Sequence, residues 1–354
     1  MKEIMNMKKL NVTLAILVAA VMAGNSQVST VPVGYVTHKV KARSDQRLGV
    51  PMQRASVFAG VSTGVAGSTV NASGITSLSG AHFLVVTSGS ANGKWEQIQS
   101  STTGSLTIAA SISGFASGDR FEIKPFWTLG ALLPSGGGVP ASIDPFDPVA
   151  LVLLYNPDAT GVNIASSKAY LYHSGSQDYP AGWYDNDDLD SGTKENVVLS
   201  PEVGFAIRNS SASEISVPIV GTVPSGKMAL DVVRTSSTSQ DNIVYNKFPA
   251  DVTLGNSGLA PSVVLPSIDI FDPSDLVLMF NLNATGYNSS ASAAYFYFVG
   301  DADNAEGWYD SGNVEGGVQN NVVIPAGAQI VIRKAKGTAG AVAWNPNLPY
   351  NLSN

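Results

Sequence analysis

Short apolar runs separated by glycine, proline, asparagine and aspartate recur along most of the chain. Several runs are continuously apolar and bounded by turn-forming residues, which is typical of buried strands. Others are rich in tyrosine and phenylalanine, which favour strands over helices. Beyond the N-terminal segment no window holds a 3.6-residue period, so the pattern predicts an all-β protein. The clearest predicted strands are residues 151–155, 169–172, 203–208, 230–233, 243–245, 276–280, 294–298 and 329–333.

An internal duplication is the strongest feature of the sequence. The turn at residues 142–148 (Ser-Ile-Asp-Pro-Phe-Asp-Pro) returns at residues 267–273 (Ser-Ile-Asp-Ile-Phe-Asp-Pro), 125 positions later. A single spacing held over this length indicates two copies of one domain. The same spacing relates residues 128–130 to 253–255, 159–161 to 284–286, 182–185 to 307–310, 196–198 to 321–323, and 207–208 to 332–333.

The region before the duplication has a different pattern. Short strands are predicted at residues 33–36, 84–86, 106–108 and 121–123, and this turn density suits a small closed or nearly closed barrel. We therefore predict a small N-terminal β-barrel-like module followed by two tandem duplicated β-sandwich domains of jelly-roll-like form. The predicted domains are a signal peptide (1–23), an N-terminal β module (24–127), β-sandwich repeat 1 (128–252) and β-sandwich repeat 2 (253–354).

The N-terminus has the features of an export signal. Lys8 and Lys9 precede a mostly apolar run at residues 12–22, and Ala23 offers a small residue for cleavage. The run is too short to span a membrane, which takes about 20 residues. No later segment is long and apolar enough for a membrane span after signal removal. The sequence thus predicts a protein secreted from the cell or held at the cell surface.

Composition narrows the function classes. Charged residues make up 13% of the chain, about half of the roughly 25% of an average soluble domain. Few lysines and arginines argue against nucleic-acid partners. The chain has no cysteine, which excludes disulfides, thiolate zinc sites and cysteine nucleophiles. The three histidines leave little scope for histidine-based catalysis, and no phosphate loop or dinucleotide fingerprint is present.

Several short motifs together resemble an uncharacterised family of exported bacterial β-rich proteins. They are Val-Gly-Tyr-Val at residues 33–36 and Gly-Asp-Arg-Phe-Glu-Ile-Lys-Pro at residues 118–125, followed by Thr-Leu-Gly at residues 128–130. The later Gly182-Trp183 and Ile207-Arg208 also resemble the family. The resemblance implies export and β architecture, and it implies no activity or site residue.

Two acidic loops are candidates for a structural calcium site. Calcium takes about six to eight oxygen ligands, which alternating carboxylates on a glycine-terminated loop can supply. The alternative is that these carboxylates shape solvated turns, in which case no cofactor is expected. The candidate ligands are Asp185, Asp187, Asp188, Asp190, Asp301 and Asp303.

Two aromatic pairs at equivalent positions of the copies are candidates for ligand binding. Trp183 with Tyr184, and Trp308 with Tyr309, have the chemistry of platforms on which sugar rings stack. The alternative is that each indole anchors a loop against the core, because a feature kept in two diverged copies is often architectural.

Aspartate pairs in the repeated turn offer the two carboxyls that a glycosidase needs, about 5–10 Å apart. They are Asp144 with Asp147, and Asp269 with Asp272. Beside proline and phenylalanine in a turn, capping of backbone N–H groups is the favoured interpretation. No Gly-x-Ser-x-Gly elbow with a suitable histidine accompanies them, so we expect no enzyme activity.

Low charge and tandem β domains suit a subunit whose surfaces are covered by neighbours. We therefore expect an exported non-catalytic structural protein that self-assembles as a homo-oligomer or polymer, such as a filament, sheath or layer. Residues 27–40 are expected to form an edge strand able to join a neighbour's sheet. The alternative is a carbohydrate-binding or adhesive surface module with a glycan partner.

Overall fold

The structure, a computed structural model, describes residues 31–352. The described chain is 38% strand and 5% helix, which confirms the all-β fold class. The predicted signal peptide at residues 1–23 lies outside the described residues. Among residues 31–352, no helix reaches the length and apolar character that a membrane crossing requires.

The strands account for nearly all the regular structure of the described chain. In chain order they are β1 (Val33–Val40), β2 (Ser44–Leu48), β3 (Phe58–Val61), β4 (Gly64–Ala66), β5 (Thr69–Asn71), β6 (His82–Val86), β7 (Trp95–Thr102), β8 (Ser105–Ile108), β9 (Arg120–Pro125), β10 (Ala150–Leu154), β11 (Lys168–His173), β12 (Gly182–Asp185), β13 (Phe205–Asn209), β14 (Ile215–Thr222), β15 (Leu230–Arg234), β16 (Gln240–Tyr245), β17 (Val252–Thr253), β18 (Leu276–Met279), β19 (Ala293–Phe298), β20 (Gly307–Asp310), β21 (Val323–Ile324), β22 (Gln329–Lys334) and β23 (Gly340–Trp344). The helical pieces are α1 (Leu129–Leu132) and 3₁₀ turns at Pro134–Gly136, Leu189–Ser191, Leu254–Asn256 and Val314–Gly316.

The N-terminal module is a seven-stranded antiparallel sheet that curls into a half-barrel. Its order is β3-β9-β6-β7-β8-β5-β4, and no pairing joins the two edge strands β3 and β4. Inside the curl, Leu84, Val86, Leu106, Phe121 and Ile123 form a buried cluster. These side chains hold the half-barrel together by burial, in a chain that has no disulfide.

Each repeat is built from a five-stranded sheet and a two-stranded ribbon that enclose one core. In the first repeat the sheet order is β12-β11-β10-β13-β2, and the ribbon pairs β1 with β14. In the second repeat the sheet order is β20-β19-β18-β22-β16, and the ribbon pairs β15 with β23. Trp183 belongs to the first core, and Trp308 and Trp344 belong to the second. The matching strand orders show that the sequence duplication is a duplication of structure.

Sheet membership crosses the boundaries inferred from the sequence spacing. Strands β1 and β2 precede the half-barrel in sequence yet lie in the sheets of the first repeat, and β15 and β16 lie in those of the second. The half-barrel is therefore an insertion between β2 and β10 of the first repeat. The 125-residue spacing does not relate β2 to β16, its counterpart in the second repeat, because the half-barrel inserted after β2 lengthens the separation between these two strands.

The strand predictions agree with the structure in both repeats, where β10, β11, β13, β15, β16, β18, β19 and β22 all fall on predicted runs. Strand β1, the described part of the edge strand expected at residues 27–40, pairs with β14 of the same chain along its whole length, and in this two-stranded ribbon it remains an edge strand. Strand β1 finds this partner because Val36, His38 and Val40 face inwards, and β14 offers the complementary apolar face with Val217 and Ile219.

Candidate functional site

The predicted aromatic platforms are buried. Trp183, Tyr184, Trp308 and Tyr309 are each 1–2% exposed. The Trp183 Nε1 donates to the backbone oxygen of Leu133 at 3.1 Å. The hydroxyl of each tyrosine donates at 2.8 Å to the carbonyl four residues earlier in the chain. The same placement in both copies favours the packing interpretation, because a sugar ring cannot stack on a ring that has no accessible face.

The predicted calcium ligands are not brought together. Asp185 is buried and forms an ion pair with Lys168 at 2.8 Å; although burial opposes its ionisation, this partner holds the pKa of Asp185 below its usual value. In the second loop, Asp301 Oδ1 accepts the backbone N–H of Asp303 at 2.9 Å and that of Asn304 at 2.7 Å. Within residues 31–352, no three His, Cys, Asp or Glu side chains form a group able to hold a metal ion. The other candidates, exposed on these two loops, are Asp187, Asp188, Asp190 and Asp303.

The repeated turns cap themselves and display apolar side chains. Asp144 Oδ1 accepts the N–H of Phe146, and Asp269 Oδ1 accepts that of Phe271, each at 2.8 Å. This is the capping role that the turn pattern favours. Phe146 is 74% exposed and Phe271 is 82% exposed, although both are apolar.

Isoleucine accompanies each of these phenylalanines, with Ile143 86% and Ile268 87% exposed. Backbone bonds from Ser142 to Tyr172 and from Ser267 to Tyr297 hold the base of each turn. We call residues 142–148 and 267–273 the apolar tips. Each is a hydrogen-bonded loop that places an isoleucine and a phenylalanine in water.

The two repeats dock through a reciprocal exchange of loops. The Arg208 guanidinium pairs with Asp45 of β2 at 2.8 and 2.9 Å and also donates to Asn288 Oδ1 from the second repeat. The Arg333 guanidinium pairs with Asp241 of β16 and donates to Asn163 Oδ1 from the first repeat. The contacts are equivalent under the duplication, so the repeats are related by a pseudo-twofold arrangement.

The backbone completes this exchange. Asn288 N donates to Asp45 Oδ2 at 2.9 Å, and Asn163 N donates to Asp241 Oδ2 at 2.7 Å. Both asparagines have positive φ, 53° and 55°, a conformation that asparagine tolerates better than most residues. We call these two sets the Asp-Arg-Asn clamps.

Between the clamps lies a cleft of about 770 Å³ on the pseudo-twofold axis. It is walled by the faces of the two five-stranded sheets that point away from the tryptophan cores. Alternation along β10 illustrates this, since Val152 faces the core and Leu153 faces the cleft. Equivalent residues from the two repeats line it, including Leu153 with Leu278, Ala206 with Val331, and Tyr155 with Phe280.

Arg47 breaks the symmetry of the cleft. Its Nη1 donates to the Tyr155 hydroxyl at 3.0 Å, and its guanidinium lies 4.4 Å from the ring centroid of Phe280. The strand register places Ile243 opposite it in the second repeat, because Asp45 and Asp241 are equivalent. Burial raises the pKa of Tyr155, so this hydroxyl stays protonated at neutral pH.

A carboxylate junction lies where the half-barrel meets the two repeats. Glu96, Glu202 and Asp231, one from each part, line a second cleft of about 560 Å³. Burial is the main cause that raises the pKa of Glu202 to about 7, with Asp231 adding to the shift. Burial also lowers the pKa of the neighbouring Lys247 to about 7, and its Nζ donates to the carbonyl of Met228 at 2.9 Å.

Comparison with protein-family models, curated proteins and solved structures finds no match to this chain. The resemblance to exported β-rich proteins therefore stays a prediction, and function is argued from the residues alone. Sequence reasoning missed the clamps and the cleft. The repeated Ile-Arg at 207–208 and 332–333 was visible, but its aspartate partners lie in strands outside the constant spacing.

Proposed function

We propose that this chain is an exported, non-catalytic structural protein whose copies assemble through the apolar tips. The observation that carries the proposal is the exposure of Ile143, Phe146, Ile268 and Phe271, which are large apolar side chains and 74–87% accessible. Exposed apolar patches of this kind mark interaction surfaces. Four large side chains kept at equivalent places in two copies are a repeated feature of the surface.

The geometry of the tips suits assembly. Burying one isoleucine or phenylalanine stabilises a contact by about 1.5–3 kcal/mol. One tip alone hardly offsets the loss of translational and rotational freedom on association, about 4–15 kcal/mol. Two tips on one molecule make it bivalent, and the second contact then forms at high effective concentration. Because the Asx turns already order the loops, little further entropy is lost on binding.

The histidines support a non-catalytic role. His38, His82 and His173 are all buried, at 8%, 7% and 0% exposure. The Nδ1 atoms of His82 and His173 lie 3.0 and 2.9 Å from backbone oxygens. Burial lowers the pKa of His38 to about 4, so this ring is neutral at physiological pH. Histidines placed in this way serve packing and backbone bonding.

Light scattering and negative-stain microscopy of the purified exported chain test the proposal. We expect wild type to form assemblies that grow with concentration, and a variant with serine at Ile143, Phe146, Ile268 and Phe271 to remain monomeric. Serine at Val57 and Val61, which are 53% and 49% exposed on the half-barrel, is the matched control and should assemble like wild type. A wild type that is monomeric at every concentration, or a tip variant that assembles normally, would overturn the proposal.

A further inference from the structure

We propose that the inter-repeat cleft binds a monocarboxylate with an apolar body, its carboxylate held by Arg47 and its body lying between the two sheets. This inference is independent of assembly through the apolar tips. It rests on the size of the cleft, the aliphatic side chains in its walls and the uneven distribution of charge around Arg47.

The size and walls of the cleft suit a small organic ligand. Its volume of about 770 Å³ falls within the roughly 300–1,000 Å³ of typical ligand pockets. Aliphatic and polar side chains share the walls. The two sheets contribute the aliphatic side chains of Leu153, Ala206, Ile243, Leu278 and Val331, and the exchanged loops at residues 163–166 and 288–290 contribute serines and asparagines. A ligand that displaced water from these surfaces would gain free energy from an apolar body.

The charges of the cleft call for an anion. Arg208 and Arg333 are each neutralised by a clamp aspartate, at 2.8 and 2.7 Å. Arg47 has no carboxylate partner among residues 31–352, and the one hydrogen bond that its side chain makes there goes to the Tyr155 hydroxyl. An arginine offers five N–H donors in a planar fork that matches a carboxylate. The guanidinium is already positioned by Phe280, so little side-chain entropy would be lost on binding.

Much of the rest of the chain is acidic, in contrast to this cleft. The net charge is −7, and the cleft at the carboxylate junction is lined by Glu96, Glu202 and Asp231. Asp45 and Asp241 in the lining are neutralised by Arg208 and Arg333, so Arg47 leaves the inter-repeat cleft with one uncompensated positive charge. One unpaired cation matches a single negative charge, which favours a carboxylate over a phosphate dianion. Because Ile243 stands where the twofold would place a second arginine, the ligand has one charged end.

Titration calorimetry of the full exported chain with sodium decanoate tests the inference. We expect saturable binding at one site, about tenfold or more weaker in Arg47→Ile, which gives the first repeat the residue of the second. Arg47→Lys keeps the charge without the fork and should bind with intermediate affinity. Arg120→Ile removes an exposed arginine of the half-barrel and should leave affinity unchanged.

Three further arms separate this site from other sources of binding. 1-Decanol has the same alkyl chain without the charge. It should bind to wild type more weakly than decanoate does, and the two ligands should bind to Arg47→Ile with equal affinity. Leu153→Trp, which fills the cleft, should abolish decanoate binding while circular dichroism shows a folded chain. The serine variant of the apolar tips should bind decanoate like wild type. Absence of saturable binding, or equal decanoate affinity in wild type and Arg47→Ile, would overturn the inference.

Discussion

Glu202 is expected to make the stability of this protein fall as pH rises from about 4.5 to 7. The carboxyl lies in the loop before β13 and faces Asp231, Glu96 and Asp158, with Lys247 as the neighbouring cation. Burial, then Asp231, raises its pKa from 4.5 to about 7, and Lys247 only partly opposes the shift. The folded state therefore keeps a proton that the unfolded chain has already released.

The sign and size follow from proton linkage. Between pH 4.5 and about 7 the folded chain binds more protons than the unfolded chain at this site, so the free energy of unfolding falls with pH. Each pH unit corresponds to about 1.4 kcal/mol, so the interval between the two pKa values of Glu202 amounts to about 3 kcal/mol. Its stabilising contribution is complete below pH 4.5 and is lost as the pH passes through 7.

Lys247 has the opposite effect at higher pH. Its pKa is lowered from 10.5 to about 7. Its stabilising contribution to the free energy of unfolding is therefore present above pH 10.5 and is lost as the pH falls towards 7. The two groups together predict a minimum of stability near neutral pH. Lys247→Met should remove the rise on the alkaline side.

Urea denaturation followed by tryptophan fluorescence, from pH 4.5 to 7.5, measures this dependence. Glu202→Gln should remove most of the decline in the free energy of unfolding across this range. Glu315→Gln removes an exposed carboxyl of the second repeat and should retain the wild-type decline. The reasoning is refuted if Glu202→Gln and wild type have the same slope.

Three other experiments test the packing. Asp275→Ala removes a fully buried carboxylate from its partners and should lower the free energy of unfolding by about 3–5 kcal/mol in urea titrations. Adding Lys334→Asn to this variant should recover part of the loss, because the first repeat has the uncharged residues Ala150 and Asn209 at these two positions. Gly138→Ala, where φ is 91° and a Cβ would lie 2.2 Å from a backbone oxygen, should lower the melting temperature more than Gly161→Ala, where φ is 98° and the space is open. Trp183→Phe should lower stability by about 1–3 kcal/mol with no change on a glycan array, whereas lost glycan binding in a stably folded variant would restore the platform interpretation.

Much of the fold could be predicted from local pattern. The apolar runs at β10 and β18 and the aromatic runs at β11 and β19 are properties of a few consecutive residues, so their strands are visible without any partner. The duplication was equally visible, because two copies of one domain keep their turns and core positions. Burial of Trp183 and Trp308 was one of two interpretations that the sequence left open.

The sites depended on contacts that local pattern does not record. Asp45 lies 163 residues before its partner Arg208, and Asp241 lies 92 residues before Arg333. Neither aspartate falls within the repeat spacing, because the half-barrel separates β2 from the rest of its sheet. Arg47 acquires its neighbours only when the second repeat brings Phe280 against it.

The sequence by itself determined that this is a β protein with two copies of one domain, and that its turns cap themselves with aspartate. These are consequences of short-range sterics and of hydrophobic alternation. The tertiary structure alone decided which strands complete each sheet, that the tips stay in water, and that the repeats enclose a cleft with one unpaired arginine. Those outcomes depend on how sheet edges and faces meet across long loops, where the free energy is set by complementarity between distant residues.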